Sequence, residues 1–251
     1  MLLEGKNAVI YGAAGSIGGA VARAFAGEGA RVHLTGRTLE SLEEVAQQIR
    51  AAGGAAETAQ MDALDEQAVD EHADTVAASA GSLDISFNLI SHASKHGTPL
   101  AEMAVGDYTR EVMTAVTTTF LTARAAARHM IGQGSGVILM FGGTGDPIRN
   151  YYIGGTQVAL GAIDLMRRQL AVELGPHGIR VITLRSGGVP ESLPEGMGGR
   201  EEIVGPIVAQ TMLGRAATLE DVGNMAAFVA SDRARTMTGA TANVSCGALV
   251  D

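Results

Sequence analysis

Short apolar runs alternate along the chain with longer segments in which apolar residues recur at the period of an α-helix. The segment SLEEVAQQIRAAGG has the helical pattern, because its apolar residues fall on one face and its charged and amide residues on the other. That apolar face consists of Leu42, Val45, Ala46 and Ile49. The short runs are typical of buried strands. They predict strands at Asn7–Tyr11, Arg31–Thr35, Leu83–Ile90, Gly136–Phe141, Arg180–Leu184 and Thr241–Val244.

Strand and helix in alternation indicate an α/β fold, in which a doubly wound parallel sheet carries helices on both faces. No linker-like segment or internal repeat divides the chain, so we expect one domain over residues 1–251. Residues 186–202, SGGVPESLPEGMGGREE, form a Gly- and Pro-rich insertion before the last helix. A long irregular loop in a compact domain is often a lid, and we expect this insertion to cover a substrate site.

Composition narrows the choice of partner. The formal net charge is -9, the pI is about 5.1, and the 18 basic residues form no cluster, so we expect no nucleic-acid partner. No apolar run reaches the roughly 20 residues that a membrane-spanning helix needs. The first residues also lack the pattern of a signal peptide, so we expect a cytoplasmic protein without membrane association.

The sequence gives no pattern of metal ligands. Cys246 is the single cysteine, so the chain cannot form an internal disulfide, and such a residue is more often a small buried side chain than a nucleophile. Neither the CxxC nor the HExxH spacing occurs. We therefore predict no metal site.

A glycine-rich turn follows the first predicted strand, where KNAVIYG runs into GAAGSIGGAVARAF. Gly12 permits the tight turn, Gly15 lets the backbone approach a pyrophosphate, and Gly18 lets the next helix pack closely. That helix begins near Ser16 and Ile17, and its N-terminus favours negative charge. The context predicts a dinucleotide site, although a glycine-rich turn without a ligand has the same pattern.

The end of the second predicted strand distinguishes between the two nicotinamide cofactors. NAD sites usually place an acidic residue there for the ribose hydroxyl, whereas a 2′-phosphate needs a cation. Arg37 stands there with no acidic neighbour, which favours NADP over NAD, unless it is only a solvated loop residue. Asp62, in AQMDALD, closes the third strand of the expected alternation, which makes Leu83–Ile90 the fourth. Its carboxylate would accept from the adenine amino group or cap the next helix.

Nearly the whole chain resembles the short-chain dehydrogenase/reductase family. The opening GKNAVIYGAAGSIGGAVARAFAGEGARV resembles the family's first unit, with glycines at G-x-x-G-x-x-G spacing instead of the more common G-x-x-x-G-x-G. LAVELGPHGIRV and LGRAATLEDVGNMAAFVASDRARTMTGATANVSCG resemble its later segments. The resemblance implies a Rossmann fold, a nicotinamide cofactor, a small-molecule substrate and a homotetramer or homodimer. Its subunit contacts would involve the helices near residues 107–133 and 157–174.

The four catalytic residues of the family are asparagine, serine, tyrosine and lysine, and this chain differs at each corresponding position. Alignment from LAVELGPHGIRV backwards places Leu160 at the lysine, Thr156 at the tyrosine, Gly143 at the serine and Ala115 at the asparagine. The chain is therefore interpreted as a divergent member without the usual proton relay. A threonine hydroxyl is far less acidic than a lysine-activated phenol near neutral pH.

Three residues are candidates to replace the missing acid: Tyr152, His92 and Thr156. Tyr152 precedes the expected helix, and Arg149 would lower the pKa of its phenol if the loop folds over the pocket. His92 follows the fourth predicted strand, and histidine suits proton transfer near neutral pH. Each has a structural alternative, namely a packed or exposed tyrosine and an ordinary loop histidine. Arg185 would bind an anionic substrate group or pair with Glu191 or Glu195.

The expected function is an NADP(H)-dependent oxidoreductase that acts on a small carbonyl, alcohol, imine or alkene through a non-standard active site. One alternative is a catalytically inactive cofactor-binding or scaffold protein, which the four changed positions favour. The other is a non-redox enzyme that performs elimination or isomerisation with His92 as the base.

Overall fold

A seven-stranded parallel sheet runs through the centre of the computed structural model, which describes residues 1–92, 94–142, 152–194, 196 and 199–250. The strand order is β3-β2-β1-β4-β5-β6-β7. The strands are β1 (Asn7–Tyr11), β2 (Arg31–Gly36), β3 (Ala55–Gln60), β4 (Ile85–Asn88), β5 (Gly136–Gly142), β6 (Ile179–Ser186) and β7 (Ala240–Val244). The order reverses direction between β1 and β4, and ligands of such sheets bind at the carboxyl ends beside this switch point.

Helices cover both faces of the sheet. They are α1 (Ser16–Gly27), α2 (Leu39–Ala51), α3 (Glu66–Ala80), α4 (Val105–Gln133), α5 (Thr156–Leu174), α6 (Arg200–Ala209) and α7 (Leu219–Ala230). Because strand side chains alternate between faces, β1 sends Ile10 into a core shared with α1, α2 and α7. Its neighbours Val9 and Tyr11 enter a second core with α3, α4 and α5. The predicted doubly wound fold is confirmed.

Helix α2 shows how the sequence pattern determines packing. Its buried residues are Leu42, Val45, Ala46 and Ile49, the four that the helical periodicity placed on one face. The helix ends at Ala51, and Gly53 then adopts a φ of 86° that permits the chain to turn towards β3. The apolar stripe therefore faces the core, and the charged residues face solvent.

Strand β3 has no corresponding signal in the hydrophobic pattern. It lies at the edge of the sheet and has the sequence AAETAQ, in which only Ala56 is buried. An edge strand with one exposed face needs few apolar residues. The predicted fourth strand was too long at both ends, since β4 covers only Ile85–Asn88.

The segment 186–202 is only partly described. Helix α6 begins at Arg200, has no buried residue in its described part, and contains Pro206. The assignment of 186–202 as a lid and the single-domain boundary 1–251 stay predictions. Among the described residues, no helix has the length and apolar character needed to cross a membrane.

Candidate cofactor and substrate site

Two adjoining clefts lie at the carboxyl ends of the strands, on either side of the glycine turn and the loop after β4. The first, which we call the cofactor cleft after the predicted cofactor, has a volume of about 420 Å³ and extends from the glycine turn to the ends of β2 and β3. The second, which we call the substrate cleft as the candidate place for a substrate, has a volume of about 440 Å³ and extends from the start of α1 towards α4, α5 and the end of β6. Both clefts are lined by Gly15, Leu89, Ile90 and Ser91. A ligand that passes beside Gly15 therefore has access to both.

The glycine turn leaves no room for side chains at two of its three glycines. Gly12 has a φ of 78°, and a Cβ there would lie 2.6 Å from the Leu89 carbonyl oxygen. A Cβ on Gly18 would collide with the Gly12 carbonyl oxygen. At Gly15 an added Cβ would meet only that same oxygen, at 3.4 Å. Gly12 and Gly18 thus keep the turn compact, while Gly15 borders the open clefts.

The start of α1 presents backbone N–H groups to this junction. Gly15 is the N-cap residue, and no side chain of the described residues caps the helix. Ser16 and Ile17 begin the first turn, whose N–H groups have no acceptor within the helix, and both residues line the substrate cleft. Unpaired N–H groups and the positive end of the helix dipole suit a pyrophosphate. This part of the chain therefore fits the phosphates of a dinucleotide.

At the far end of the cofactor cleft, Arg37 and Asp62 both line the wall. Arg37 is exposed, and no acidic side chain in the described part of the chain pairs with it. The Asp62 carboxylate accepts from the Leu64 N–H at 3.0 Å, while Asp65 caps α3. Of the two roles considered for Asp62, the helix cap thus belongs to another residue. The assignment of these side chains to a bound cofactor stays a prediction.

Arg110 of α4 also lines the cofactor cleft, and the sequence analysis missed it. Its guanidinium lies 3.3 Å from the Asp107 carboxylate, one helical turn earlier. Nothing in the local sequence distinguishes this arginine from an ordinary exposed residue on a long helix. Only the packing of α4 against the loop after β4 brings it to the cleft.

The substrate cleft has few charged groups. Its described lining residues include Asn88, Thr119, Phe141 and Leu160, and His92 is the one titratable side chain among them. Burial lowers the pKa of His92, and the Glu111 carboxylate opposes that shift. The imidazole is consequently neutral near pH 7.

Glu111 is the centre of a hydrogen-bonded cluster that the sequence analysis also missed. This residue of α4 is only 1% exposed, and its Oε1 accepts from the hydroxyls of Ser94 and Thr156. Its Oε2 accepts from the Gly155 N–H at 3.0 Å, and His96 Nε2 lies 3.4 Å from Thr156 Oγ1. The carboxylate thereby ties the loop after β4 to the start of α5.

The three candidate acids occupy different surroundings. His92 lines the substrate cleft. Thr156 does not line it, because its hydroxyl is directed to Glu111. Tyr152 is 55% exposed and lines neither cleft, and its carbonyl accepts from the Gly97 N–H at 2.7 Å. Of the three, the structure brings only His92 to a cleft wall.

The other predicted positions are distributed more widely. Ala115 is fully buried on α4, and Leu160 lines the substrate cleft. Arg185 lines a small cavity of about 110 Å³ that also borders Leu160 and Asp164. The Glu191 carboxylate accepts from the N–H of Leu219 at 2.7 Å. Gly143, Arg149 and Glu195 lie outside the described residues.

Comparison with known proteins identifies the fold and the family. The model of the family described as enoyl-(acyl carrier protein) reductase matches residues 12–248. The uncharacterized oxidoreductase YxbG of Bacillus subtilis is 32% identical over 246 residues, covering 94% of this chain and 88% of that protein. Cis-4-hydroxycyclohexanecarboxylate dehydrogenase of Sinomonas cyclohexanicum is 32% identical over 248 residues, covering 96% of each.

Solved structures agree with these relatives. A gluconate 5-dehydrogenase from Burkholderia cenocepacia, in complex with NADP and tartrate, has a TM-score of 0.89 and 25% identity, covering 98% of this chain and 96% of that one. A short-chain type dehydrogenase/reductase from Mycobacterium ulcerans has a TM-score of 0.91 and 26% identity, covering 99% and 91%. The chain therefore belongs to the short-chain dehydrogenase/reductase family.

Proposed function

We propose that this protein is an NADP(H)-dependent oxidoreductase that acts on a small carbonyl, alcohol, imine or alkene through a non-standard active site. The observation that supports the proposal is the pair of adjoining clefts, with the glycine turn between them, Arg37 at one end and His92 at the other. Membership of an oxidoreductase family and the retained glycine turn both favour an enzyme over a scaffold protein.

Arg37 supports the choice of NADP over NAD. Its guanidinium lines the cofactor cleft without an acidic partner among the described residues, so a 2′-phosphate would meet a cation there. The residues from Gly12 to Gly18 would hold the pyrophosphate, and Asp62 would face the adenine. A related gluconate 5-dehydrogenase has been crystallised with NADP, which agrees with this preference.

The active site is non-standard in this proposal because the usual proton relay has no counterpart. Leu160 has no charge with which to hold a ribose hydroxyl or to acidify a phenol. The Thr156 hydroxyl donates to Glu111 and is too weakly acidic to protonate a substrate directly. His92 therefore becomes the candidate for proton transfer in the substrate cleft.

When bound, the nicotinamide supplies or accepts the hydride, and the protein must manage the proton. The neutral imidazole of His92 is in the correct form to accept a proton from an alcohol. In carbonyl reduction, the small protonated fraction of His92 would donate, so that reaction should quicken as the pH falls. The apolar side chains of Phe141 and Leu160 would limit water around the reacting atoms.

A second candidate function is cofactor binding without catalysis. Leu160 lines the cleft where the family has its lysine, and Ala115 is buried where the family has its asparagine. These residues are compatible with a protein that senses the cofactor or serves as a scaffold. Turnover of NADPH with any substrate would exclude this reading. A non-redox enzyme would instead convert a substrate without consuming the cofactor.

The test is NADPH turnover against a panel of small carbonyls, imines and activated alkenes, with His92→Gln and His177→Gln compared. His177 serves as the control because it is exposed and lies just before β6. It therefore lies at the amino-terminal ends of the strands, away from both clefts. For a carbonyl substrate, loss of a positioned acid should lower kcat by about a hundredfold or more, with His177→Gln unaffected. Turnover unchanged by His92→Gln would remove His92 from the mechanism.

We also propose a homotetramer or homodimer assembled through α4 and α5. Both helices expose large apolar side chains, a pattern that usually indicates a protein interface. They include Met113, Phe120 and Ile131 on α4, and Val158, Leu165 and Val172 on α5. Light scattering coupled to size exclusion should give a mass of two or four chains, and Leu165→Glu should reduce it. A monomeric wild type would contradict this proposal.

A further inference from the structure

The buried carboxylate of Glu111 is surrounded by neutral hydrogen-bond donors. Two hydroxyls and one backbone N–H satisfy its oxygens, and no lysine or arginine in the described part of the chain pairs with it. Hydrogen bonds from neutral donors stabilise a carboxylate but leave its net charge in place. Since the carboxylate itself is only 1% exposed, its negative charge is screened less than that of a surface carboxylate.

This charge acts on the substrate cleft, because the Glu111 carboxylate raises the pKa of His92, which lines the cleft, against the effect of burial. Leu160 and Thr119 line the cleft, and they belong to the same two helices as Thr156 and Glu111. Thr156 precedes Leu160 by four residues, which is about one helical turn, and residues so spaced share a face. Thr156 also occupies the position of the family's tyrosine, which is the usual proton donor. The carboxylate is thus hydrogen-bonded to the residue that stands where that donor would be.

No cation lines the described wall of this cleft to offset the carboxylate. The position of the family's lysine is Leu160, and His92 is neutral near pH 7 because it is buried. Lys95 pairs with Asp107. Arg185 does not line the cleft but borders a small neighbouring cavity, which shares Leu160 with the cleft and also contains Asp164. Among the described residues of the cleft wall, the position of the family's lysine therefore has no positive charge.

The sign of this charge selects among hydride acceptors. A ketone gains negative charge on oxygen as hydride arrives, so it needs an acid or a cation, and a nearby carboxylate opposes the reaction. A protonated imine already carries its proton and a positive charge, and it ends as a neutral amine. A carboxylate attracts such a substrate, and the missing acid is no longer needed.

We propose that the substrate cleft takes a small cationic imine, or in the reverse direction its amine, and that Glu111 provides the negative charge that selects it. This inference rests on the proposed function. The iminium carbon accepts hydride from the dihydronicotinamide while the C=N π electrons move to nitrogen. The products are the neutral amine and the oxidised cofactor, and the protein contributes no proton.

The experiment compares two probes of similar size, the cyclic imine pyrroline and the ketone cyclopentanone, in weakly acidic buffer where the imine is protonated. NADPH oxidation by the wild-type protein should be at least about tenfold faster, as kcat/KM, with pyrroline. A preference for cyclopentanone, or turnover of neither probe by protein that binds NADPH, would overturn the inference. Failure to bind NADPH would instead refute the proposed function itself.

Two variants locate the source of the preference. Glu111→Gln keeps the size of the side chain and removes its charge, and Glu71→Gln makes the same change on the exposed surface of α3. Glu111→Gln should lower kcat/KM for pyrroline by about tenfold while the rate with cyclopentanone stays the same or rises. Glu71→Gln should change neither. An unchanged ratio of the two rates in Glu111→Gln would contradict the role given to this carboxylate.

A binding measurement gives an answer that does not depend on turnover. Calorimetry should show that pyrrolidinium, the cation of the product amine, binds the wild type and binds Glu111→Gln about tenfold more weakly. Cyclopentanol should bind both proteins equally. Circular dichroism and a thermal melt establish that each variant is folded. Equal affinity of both proteins for pyrrolidinium would overturn the proposal.

Discussion

The cofactor cleft and the substrate cleft are adjacent, yet they are built in different ways. The cofactor cleft depends on backbone shape, since Gly12 and Gly18 exclude side chains and α1 presents its N–H groups. The substrate cleft depends on side chains from separate segments, among them His92, Leu160 and the neighbouring Glu111 cluster. The shape of the cofactor cleft should therefore persist when the side chains around it are substituted. In the substrate cleft, a few substitutions are enough to change the chemistry.

The largest effect is expected at the glycine turn. Gly12→Ala would place a Cβ within 2.6 Å of a backbone oxygen at a φ of 78°. The protein should lose about 2 kcal/mol or more of unfolding free energy and most of its NADPH affinity. Urea denaturation and a fluorescence titration measure the two losses.

Gly106→Ala is the matched control, because a Cβ on Gly106 of α4 meets nothing within 4 Å. That variant should be neutral or slightly stabilised, by at most about 1 kcal/mol. If Gly12→Ala bound NADPH normally, the cofactor cleft would not depend on backbone shape.

Beside the substrate cleft, removal of the Glu111 carboxylate should cause a smaller loss of protein stability. Glu111→Ala would leave the Ser94 and Thr156 hydroxyls and the Gly155 N–H without their acceptor. Loss of the acceptor, above all for the buried Gly155 N–H, should lower the free energy of unfolding measured in urea by about 1–3 kcal/mol. The control Glu71→Ala should stay within about 0.5 kcal/mol of the wild type. Equal stability of both variants would mean that the cluster does not hold the loop to α5.

Arg37 allows the cofactor cleft to be tested without a change in stability. Arg37→Gln should weaken NADPH binding by roughly ten- to hundredfold, since a hydrogen bond between charged groups contributes about 1.5–3 kcal/mol. NADH binding should not change, because NADH has no 2′-phosphate. Arg23→Gln, on the outer face of α1 beside Gln48, is the control. A parallel loss for both cofactors would show that Arg37 does not recognise the phosphate.

A further effect, absent near neutral pH, concerns the dependence of stability on acid. Burial, with help from His33, lowers the pKa of His72 from 6.5 to about 4, and burial also lowers the pKa of His92. Because unfolded histidine binds a proton that the folded residue resists, stability should fall as the pH drops from 6.5 towards 4. His72→Gln should flatten this fall more than His92→Gln does.

Chemical denaturation at a series of pH values measures these slopes. A wild-type stability that rises on acidification through this range would contradict the assignment of both histidines as neutral in the folded protein.

The fold and the shape of the glycine turn were accessible from sequence because they depend on local patterns. The face of α2 follows from helical periodicity, and the glycine spacing follows from the turn that it permits. Strand β3 was not visible in the hydrophobic pattern because an edge strand needs few apolar residues.

The Glu111 cluster could not be foreseen in the same way. Glu111 and Thr156 are 45 positions apart, and a glutamate on a long helix has the local pattern of an exposed residue. Only the folding of the loop after β4 over the start of α5 buries it. Tyr152 shows the converse, because a tyrosine close to the expected catalytic helix turns out to be 55% exposed and away from both clefts.

The most direct test of the central claim is a fluorescence titration of the purified protein with NADPH and with NADH, side by side. The proposed function predicts saturable NADPH binding that is at least about tenfold tighter than NADH binding, because only NADPH carries the phosphate that Arg37 would meet. Absence of binding by either cofactor would contradict the oxidoreductase proposal and leave the fold with a structural or non-redox role.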